Sequence, residues 1–321
     1  MNYRLLGSTG LSVSEIGFGA WGLGGERGGA RAYGPTDDCE SIAALRRALE
    51  LGITLFDTAD FYGFGYSECV IGRAFKGRRE KVLLASKVGF LDATGKQDFS
   101  PAHIRQSLDG TLQRLDTDFL DIYQLHSPAI ATLERNPEAL ETMKYLKQEG
   151  LVRYIGVSLR SPDEGVKLLR LCPIDCIQVN FNLADQRALQ NGLFDLCSEK
   201  GVGVIVRTPL CFGFLTGQYA DKNKLTESDH RRRWSQEQID LWNKASALFR
   251  KAVMGPLGQT PAQAALRFCL SHAAVSTVIP GMLTVSQVEE NAVASDWGPL
   301  PTDAVSDIQS IYAAHDFMVK F

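Results

Sequence analysis

The chain has 321 residues, of which 45% are hydrophobic and 22% charged, with a formal net charge of −3. This composition is ordinary for a globular protein, and the length suits one α/β barrel, which needs about 250 residues. It argues against a nucleic-acid-binding chain, and no apolar stretch approaches the roughly 18 residues that span a membrane. The start MNYRLLGSTG has no apolar core of a secretory signal. We therefore expect a cytoplasmic protein with neither nucleic-acid nor membrane partners.

Short runs rich in valine and isoleucine alternate with longer amphipathic stretches. The short runs predict parallel strands covered by helices; they are Ile16–Ala20, Thr54–Phe56, Val82–Ala85, Phe119–Gln124, Val152–Val157, Cys176–Val179, Val202–Val206 and Ser276–Ile279. The longer stretches carry helix start and stop signals; they are Thr36–Leu51, Pro101–Leu115, Asn136–Glu149, Ser161–Leu171, Arg187–Lys200, Thr260–His272, Thr284–Ala294 and Pro301–Ala314.

Eight strand–helix units without a linker predict an α/β fold, a (β/α)8 TIM barrel, with residues 1–321 as a single domain. An open doubly wound sheet is the alternative, but the glycines between Gly17 and Gly25 do not have its G-x-G-x-x-G spacing. Arg4–Val13 predicts a hairpin that closes the barrel bottom. Cys211–Asp240 predicts a long loop over the active-site face, and the last helix is an addition at the C-terminus.

The seven cysteines are scattered, with no C-x-x-C pair and no histidine at metal-ligand spacing beside them. We therefore expect reduced thiols and no metal site. A redox role for the closest pair, Cys172 and Cys176, is the less favoured alternative.

Four polar residues lie at the ends of neighbouring strands, where barrel enzymes carry their catalytic groups. Asp57 ends the second strand, Tyr62 lies just beyond it, and Lys87 and His126 end the third and fourth. Each residue alone has an ordinary structural explanation. In the same order, the four would be a helix cap, a packing aromatic, a solvated residue at a strand end and a buried structural histidine. Together they predict one catalytic set.

These side chains suit proton transfer to a carbonyl oxygen. A phenol has a pKa near 10, and a neighbouring ammonium lowers it. We expect Lys87 to lower the pKa of Tyr62 and Asp57 to hold Lys87. His126 would orient the carbonyl, and Tyr62 would act as general acid while a hydride reaches the carbon.

The chain carries, in one order and nearly end to end, the motifs LGSTGLSVSEIGFGAWGLGG, FDTADFYGFGYSE, SKVG, LHSP, IGVS, IQVNFN, PLCFGFLTG and VIPG…QVEEN. On these motifs it resembles the aldo-keto reductases. Its loops are more similar to the bacterial oxidoreductases related to potassium-channel β subunits than to the aldose reductases. The resemblance implies a barrel that binds NADP(H), or less often NAD(H), in extended form across the strand ends.

The resemblance also implies cofactor-binding residues. Ser158 and Gln178 would hold the nicotinamide carboxamide near Asp57, with Asn180 beside them, and Gly19 and Trp21 would lie next to the ring. The backbone of one loop would wrap the pyrophosphate, and a second loop with the following helix would bind the adenosine. The residues of these two loops are Thr208, Leu210, Gly213, Leu215, Gly281, Thr284, Gln287, Glu290 and Asn291.

Three positions depart from the family pattern. Leu159 replaces the asparagine that usually follows IGVS, so one carboxamide hydrogen bond is missing or comes from elsewhere. Arg207 replaces an aromatic residue that stacks on the nicotinamide. A guanidinium can stack on a ring, but its charge disfavours the cationic, oxidised cofactor. We therefore expect Arg207 to favour the reduced form.

The third departure concerns a 2′-phosphate. Residues 281–287 contain no cation, although Thr284, Ser286 and Gln287 can donate hydrogen bonds. NADP(H) is nevertheless predicted over NAD(H), because most of the family uses it.

The run His230-Arg231-Arg232-Arg233 lies in the long loop. One interpretation is a lid that contacts cofactor phosphates. The favoured interpretation is the solvated face of a short helix, with Trp234 and Trp242 fixing the loop to the barrel. The pocket wall is predicted to be aromatic, formed by Trp21, Phe61, Phe64 and Phe90.

The sequence therefore predicts a carbonyl reductase that converts an aldehyde, ketone or keto-sugar, a small-molecule substrate, to the alcohol with NAD(P)H. The alternatives are an NAD-dependent sugar or alcohol dehydrogenase and a cofactor-binding, redox-sensing subunit. A lyase or aldolase with a Schiff base at Lys87 is less favoured. The physiological substrate, the preferred direction and the oligomeric state are left open.

Overall fold

A computed structural model describes residues 1–27, 32–219, 221–253 and 258–319. An antiparallel hairpin of β1 (Tyr3–Leu5) and β2 (Ser12–Ser14) precedes an eight-stranded parallel sheet. Its strands pair in chain order; they are β3 (Phe18–Gly19), β4 (Leu55–Asp57), β5 (Leu83–Val88), β6 (Leu120–His126), β7 (Val152–Ser158), β8 (Cys176–Asn180), β9 (Gly203–Arg207) and β10 (Val275–Ile279). Bridges from Ile16 to Val278 and from Gly19 to Gly281 join the first strand to the last. The predicted TIM barrel is confirmed.

Helices cover the outside of the barrel. They are α1 (Asp38–Glu50), α2 (Tyr66–Phe75), α3 (Pro101–Leu115), α4 (Ile130–Arg135), α5 (Glu138–Gln148), α6 (Pro162–Leu171), α7 (Arg187–Gln190), α8 (Leu193–Lys200), α9 (Gln236–Val253), α10 (Pro261–Leu270), α11 (Val285–Asp296) and α12 (Thr302–Ala313). Ser100, Ser161 and Thr260 cap three of them, each side chain accepting a hydrogen bond from a backbone N–H of the first turn. These are the Ser-Pro and Thr-Pro starts that the sequence indicates.

Three predicted helices differ in detail. The first is capped by Asp37, whose side chain accepts from Glu40 N, and not by Thr36. The helix predicted to begin at Asn136 begins instead at Glu138, as α5. A separate short helix, α4, ends at Arg135, just before it. The stretch Arg187–Lys200 is divided into α7 and α8, because Gly192 adopts a left-handed φ of 78° between them.

Three helices were not predicted, and α4 is one of them. The N-terminus of α2 follows Gly65, which has a φ of 88° and no capping side chain, so no start signal marks it. The 18-residue α9 begins at Gln236, inside the predicted loop Cys211–Asp240, whose residue 220 lies outside the described residues. As predicted, Trp242 and Trp234 fix this region: their rings are 5.0 Å apart, and Trp242 is 2% exposed.

The barrel has two apolar layers. The larger fills the space between strands and helices. The smaller lies inside the barrel, where the hairpin region contributes Leu6, Leu11 and Val13. The hairpin therefore closes one end of the barrel, and the other end is left for the functional site. None of the helices in the described ranges is long and apolar enough to cross a membrane.

Candidate active site

The inner face of the barrel changes from apolar to polar within two residues on five strands. One apolar layer is formed with Leu55, Ala85, Ile122, Cys176 and Ile205. Two residues later on the same strands stand Asp57, Lys87, Gln124, Gln178 and Arg207. Because side chains at i and i+2 lie on the same face of a strand, these polar side chains form the next layer toward the carboxyl ends of the strands.

Lys87 is the centre of this layer. Its Nζ donates to Asp57 Oδ1 at 2.6 Å and to the backbone oxygen of Thr58 at 2.7 Å. It lies 3.1 Å from the hydroxyl oxygen of Tyr62. Burial, the largest effect, disfavours the charge of Lys87, which is fully buried, but the charge of Asp57 and the hydrogen bonds to Asp57 and Tyr62 outweigh it and raise the pKa of Lys87. A permanently protonated amine is a poor nucleophile, which argues against a Schiff base at this position.

Asp57 is held by two amides besides Lys87. Gln178 Nε2 donates to Asp57 Oδ2 at 2.8 Å, and Gln124 Nε2 donates to the same oxygen at 3.2 Å. The carboxylate is 2% exposed, so these amides and Lys87 supply the hydrogen bonds that water would otherwise donate. Gln124 was not predicted as a site residue; its position two residues after Ile122 is the signal that would have found it.

His126 borders the same site. Its ring packs edge-on against Tyr62, with centroids 5.7 Å apart, and against Phe90 at 4.8 Å. The ring Nδ1 is buried without a hydrogen-bond partner among the described residues. Burial, together with the charges of Lys87 and Arg207, holds the pKa of His126 well below its usual value. The imidazole is therefore neutral, a donor at one nitrogen and an acceptor at the other.

The expected lowering of the pKa of Tyr62 does not occur. Lys87 and Arg207 lower this pKa, but burial of the phenol outweighs them, and the net direction is upward. The sequence argument counted the ammonium and omitted desolvation, which disfavours the phenolate. Tyr62 is consequently a protonated acid throughout the neutral range.

Arg207 and Leu159, the first two departures from the family pattern, are in contact. Arg207 Nη2 donates to the backbone oxygen of Leu159 at 2.7 Å. The Leu159 side chain is 2% exposed and points into the core, where its Cδ1 packs against Gly165. Arg207 Nε is buried and lacks a hydrogen-bond partner among the described residues. An unsatisfied buried donor of this kind suits a ligand acceptor.

Ser158, Gly19 and Trp21 lie around this layer. Ser158 pairs in register with His126 and Gln178 at the ends of β6 and β8, and Asn180 pairs with Arg207. A Cβ at Gly19 would lie 2.7 Å from the oxygen of Ile279, so no side chain fits there. Trp21 opens a short 3-10 turn after the first barrel strand.

A channel of about 340 Å³ lies between the loops after β9 and β10. Thr208, which follows Arg207, lines it, but the polar layer and Tyr62 do not. Seven predicted cofactor residues line it: Thr208, Leu210, Gly213, Gly281, Gln287, Glu290 and Asn291. Tyr33 and Tyr219, which were not predicted, line it as well. The channel and the bare backbone at Gly213 fit part of an extended dinucleotide.

Of the nine residues predicted in the two cofactor loops, two do not line the channel. Leu215 is 2% exposed and belongs to the apolar layer between strands and helices. Thr284 caps α11, and its side chain accepts a hydrogen bond from Gln287 N. Gln287 Oε1 in turn accepts from Leu283 N at 2.7 Å. The side chains of Thr284 and Gln287 are thus already engaged with the backbone at the start of the helix.

The loop that forms one wall of the channel has an unusual backbone. Thr208, Cys211 and Phe212 have φ values of 51°, 47° and 57°, which side-chain-bearing residues rarely adopt. Thr208 is held there because its hydroxyl donates to Asn180 Oδ1 at 2.7 Å. Strain of this kind is typical of ligand-binding loops.

The favoured interpretation of the His230–Arg233 run is wrong for its first half. His230 and Arg231 are 3% and 5% exposed, and Arg231 lines the channel. Sequence alone suggested a solvated face because it could not show that Asp229, 3% exposed, is buried with Arg231. Arg233 is exposed, as expected.

The predicted aromatic wall consists of two separate groups. Phe61 packs against Phe64 and Phe90, with ring centroids 5.5 and 5.1 Å apart, and Phe90 reaches His126. Trp21 instead packs against Tyr33 and His230, over the channel. The first group borders Tyr62 and His126, and the second lies beside the channel.

The cysteines take no part in the site. All seven have free thiols, and Cys172 and Cys176 are not bonded to each other. Burial raises the pKa of both thiols, which makes them poor nucleophiles.

Known proteins match this chain over nearly its whole length. The family model described as "Aldo/keto reductase family" matches residues 15–313. The uncharacterized oxidoreductase YqkF of Bacillus subtilis (strain 168) is 32% identical over 98% of this chain and 99% of its own. The L-galactose dehydrogenase of Arabidopsis thaliana is 33% identical over 91% and 87%. A probable voltage-gated potassium channel subunit beta of Oryza sativa subsp. japonica is 30% identical over 96% and 95%.

A solved structure agrees with these matches. The aldo-keto reductase AKR11C1 from Bacillus halodurans, in its holo form, superposes with a TM-score of 0.78 at 33% identity. The match covers 97% of this chain and 96% of that chain. The resemblance predicted from the motifs is confirmed.

Proposed function

Since this chain belongs to the aldo/keto reductase family and is an NAD(P)-dependent carbonyl oxidoreductase, we propose that it reduces an aldehyde, ketone or keto-sugar with Tyr62 as the general acid. The observation that carries this proposal is the contact of Lys87 Nζ with both Asp57, at 2.6 Å, and Tyr62, at 3.1 Å. This arrangement places a protonated phenol, its stabilising cation and a neutral imidazole at one end of the barrel.

The proton comes from Tyr62. A carbonyl oxygen bound between Tyr62 and His126 accepts one hydrogen bond from the phenol and one from the imidazole N–H, which orients and polarises it. The carbonyl carbon would receive its hydride from a reduced nicotinamide bound at the strand ends. As negative charge develops on oxygen, Tyr62 transfers its proton, and Lys87 stabilises the phenolate that remains. Asp57 keeps Lys87 charged and in place.

The cofactor would be held by residues of the barrel layer and of the channel. Ser158, Gln178 and Arg207 stand at the strand ends, where a nicotinamide carboxamide would bind. Thr208 and Gly213 border the channel where a pyrophosphate would lie, and the start of α11 would bind the adenosine. NADP(H) over NAD(H) remains our prediction from the family, and residues 281–287 contribute no cation to it.

The reverse reaction is the second candidate. The L-galactose dehydrogenase of Arabidopsis thaliana is a relative at 33% identity, and its name is that of a sugar dehydrogenase. The same residues serve both directions, because a phenolate stabilised by Lys87 accepts the proton of an alcohol. Phe61, Phe64 and Phe90 suit either a flat carbonyl or the apolar face of a sugar.

The test measures loss of reduced-cofactor absorbance with a panel of aldehydes, ketones and keto-sugars, in parallel with NADPH and NADH. We expect turnover by the unaltered protein, and a loss of at least about a hundredfold in Tyr62→Phe with cofactor affinity retained. Tyr66→Phe is the matched control, since Tyr66 donates to Asp38 on α1 and stands outside the layer. Cofactor binding without turnover across the panel, in either direction, would favour a sensing subunit instead.

A further inference from the structure

The backbone turns sharply at Ser127, directly after His126 at the end of β6. Ser127 has a φ of 55°, a left-handed conformation that residues with a side chain seldom adopt. Its backbone N–H donates to the oxygen of Ser158 at 2.9 Å. A conformation of this kind persists only where neighbouring groups hold it. The groups that hold Ser127 therefore also determine how the imidazole of His126 is directed.

Gln97, in the loop between β5 and α3, donates to the backbone of both His126 and Ser127. Its Nε2 lies 2.8 Å from the oxygen of His126 and 3.2 Å from that of Ser127. Its Oε1 accepts from Nη2 of Arg160 at 2.7 Å, and Arg160 Nε donates to the oxygen of Ser127 at 2.7 Å. The amide of Gln97 thus has acceptors at its nitrogen and a donor at its oxygen. A carboxylate in its place would be unable to donate.

The loop of Gln97 also carries an aromatic ring to His126. Phe90 pairs with Gln97 in an antiparallel bridge, and Asp98 N donates to the oxygen of Gly89 at 2.8 Å. The rings of Phe90 and His126 meet edge-on, with centroids 4.8 Å apart. Gln97 therefore acts on His126 in two ways, through the backbone oxygens of the turn and through the placement of Phe90 against the imidazole.

We propose that Gln97 is a positioning residue of the reaction, which holds the imidazole of His126 in the orientation that receives the carbonyl oxygen. Arg160 in turn holds Gln97, so the two side chains join the loops that follow β5, β6 and β7. This inference rests on the proposed function, because it requires that His126 binds the carbonyl. Gln97 does not line the channel that the described residues form. Its loss should therefore lower turnover and leave cofactor affinity unchanged.

Gln97→Glu tests the assignment by exchanging one donor for an acceptor of the same shape. The carboxylate keeps its bond to Arg160, so the fold retains its support, but it loses the bonds to the oxygens of His126 and Ser127. We expect kcat for the best carbonyl of the panel to fall about tenfold, with cofactor affinity and unfolding temperature close to those of the unaltered protein. Lys96→Met is the matched control, since Lys96 is exposed in the same loop, and it should leave kcat unchanged.

A double-mutant cycle with His126→Ala distinguishes positioning from general support of the fold. If Gln97 acts through His126, Gln97→Glu should lower kcat by less than about twofold in the His126→Ala background. An equal loss in both backgrounds would overturn the proposal, and so would a normal kcat in Gln97→Glu alone. If Gln97→Glu does not fold, Arg160→Met takes its place in the cycle, with a several-fold loss expected only where His126 is present.

Amide hydrogen exchange gives a readout that does not depend on turnover. In Gln97→Glu the amides of residues 89–98 and of Ser127 should exchange about tenfold faster, whereas those of the hairpin of β1 and β2 should be unchanged. Unaltered exchange at Ser127 would contradict the proposal, also where His126→Ala leaves too little activity to measure. If the unaltered protein reduces no carbonyl of the panel, the proposed function fails, and the exchange at Ser127 alone then decides whether Gln97 holds the turn.

Discussion

Arg207 donates a hydrogen bond of 2.7 Å to the backbone oxygen of Leu159, so two positions that depart from the family pattern are joined. Leu159 turns its side chain into the core and offers no amide to a ligand. Arg207 keeps a buried, unpartnered Nε at the end of β9. Where the family pattern has a neutral amide and an aromatic ring, this chain has a leucine and one buried guanidinium. The guanidinium adds a positive charge to the site.

The first prediction concerns the redox state of the cofactor. A buried cation at the nicotinamide end disfavours the oxidised ring, which is itself cationic. The unaltered protein should bind NAD(P)H more tightly than NAD(P)+, and Arg207→Met should reduce this ratio by about tenfold, mainly by strengthening binding of the oxidised form. Titration calorimetry with both forms measures the ratio.

Arg160→Met is the control for this ratio, since Arg160 is an exposed guanidinium beside Leu159 that donates to the oxygen of Ser127. It should leave the ratio unchanged. An unchanged ratio in both Arg207→Met and Arg207→Tyr would show that Arg207 does not face the nicotinamide.

The second prediction concerns pH. Reduction requires Tyr62 protonated and His126 neutral. Burial raises the pKa of Tyr62 above 10, so reductive activity is lost only as the pH rises beyond that value. Burial lowers the pKa of His126 well below 6.5, so activity on the acid side is lost only as the pH falls through that lower value. The kcat for reduction should therefore be flat between about pH 7 and 9.

A pH–rate profile, with the unfolding temperature measured at each pH as a control, checks this. A descending limb centred between pH 7 and 9 would contradict it, because it would mean that Lys87 does lower the pKa of Tyr62 in the working enzyme.

The catalytic layer was predictable from the sequence, whereas its electrostatics were not. Asp57, Lys87 and His126 end strands of recognisable apolar composition, so period-two alternation and the order of strands suffice to bring them together. The upward direction of the pKa of Tyr62 depends on desolvation, which is set by the packing of distant segments such as that of His126, whose ring lies 5.7 Å from the Tyr62 ring. A single sequence shows charges, but it does not show which of them lose contact with water.

The buried segment Asp229–Arg231 illustrates the same limit. Arg231 is buried because Tyr33, nearly 200 residues earlier, and Tyr219 enclose its guanidinium. The local pattern of His230–Arg233 contains none of this information and looks like any solvated basic turn. Similarly, α2 has no capping side chain after Gly65, so its start carries no local signal.

The third prediction concerns a buried carboxyl behind the loop of Tyr62. Burial, then the charge of Glu68, raises the pKa of Asp60 to about 7, and Asp60 Oδ1 has no partner among the described residues. A carboxyl whose pKa is higher in the folded than in the unfolded protein binds its proton more tightly when folded. It therefore reduces the free energy of unfolding as the pH rises from about 4 to about 7.

Asp60→Asn removes this penalty. It should raise the free energy of unfolding by about 1 kcal/mol or more at pH 8, and by clearly less at pH 5. Denaturant unfolding at the two pH values measures the difference. Asp118→Asn is the control, since Asp118 is exposed just before β6, and it should show no such pH dependence. Equal gains in the free energy of unfolding for Asp60→Asn at both pH values would rule out the explanation.

The last prediction concerns cofactor choice. Gly281 lines the channel before α11, and a Cβ there would meet only Tyr33, at 3.5 Å, so a longer side chain fits. Gly281→Lys should bind NADPH about tenfold more tightly and leave NADH unchanged, because it adds a cation where residues 281–287 have none. Gly281→Met controls for the added bulk. If the lysine strengthens both cofactors equally, the added charge acts on the pyrophosphate, which both cofactors share, and the 2′-position lies elsewhere. If it strengthens neither, the start of α11 does not bind the adenosine end of the cofactor.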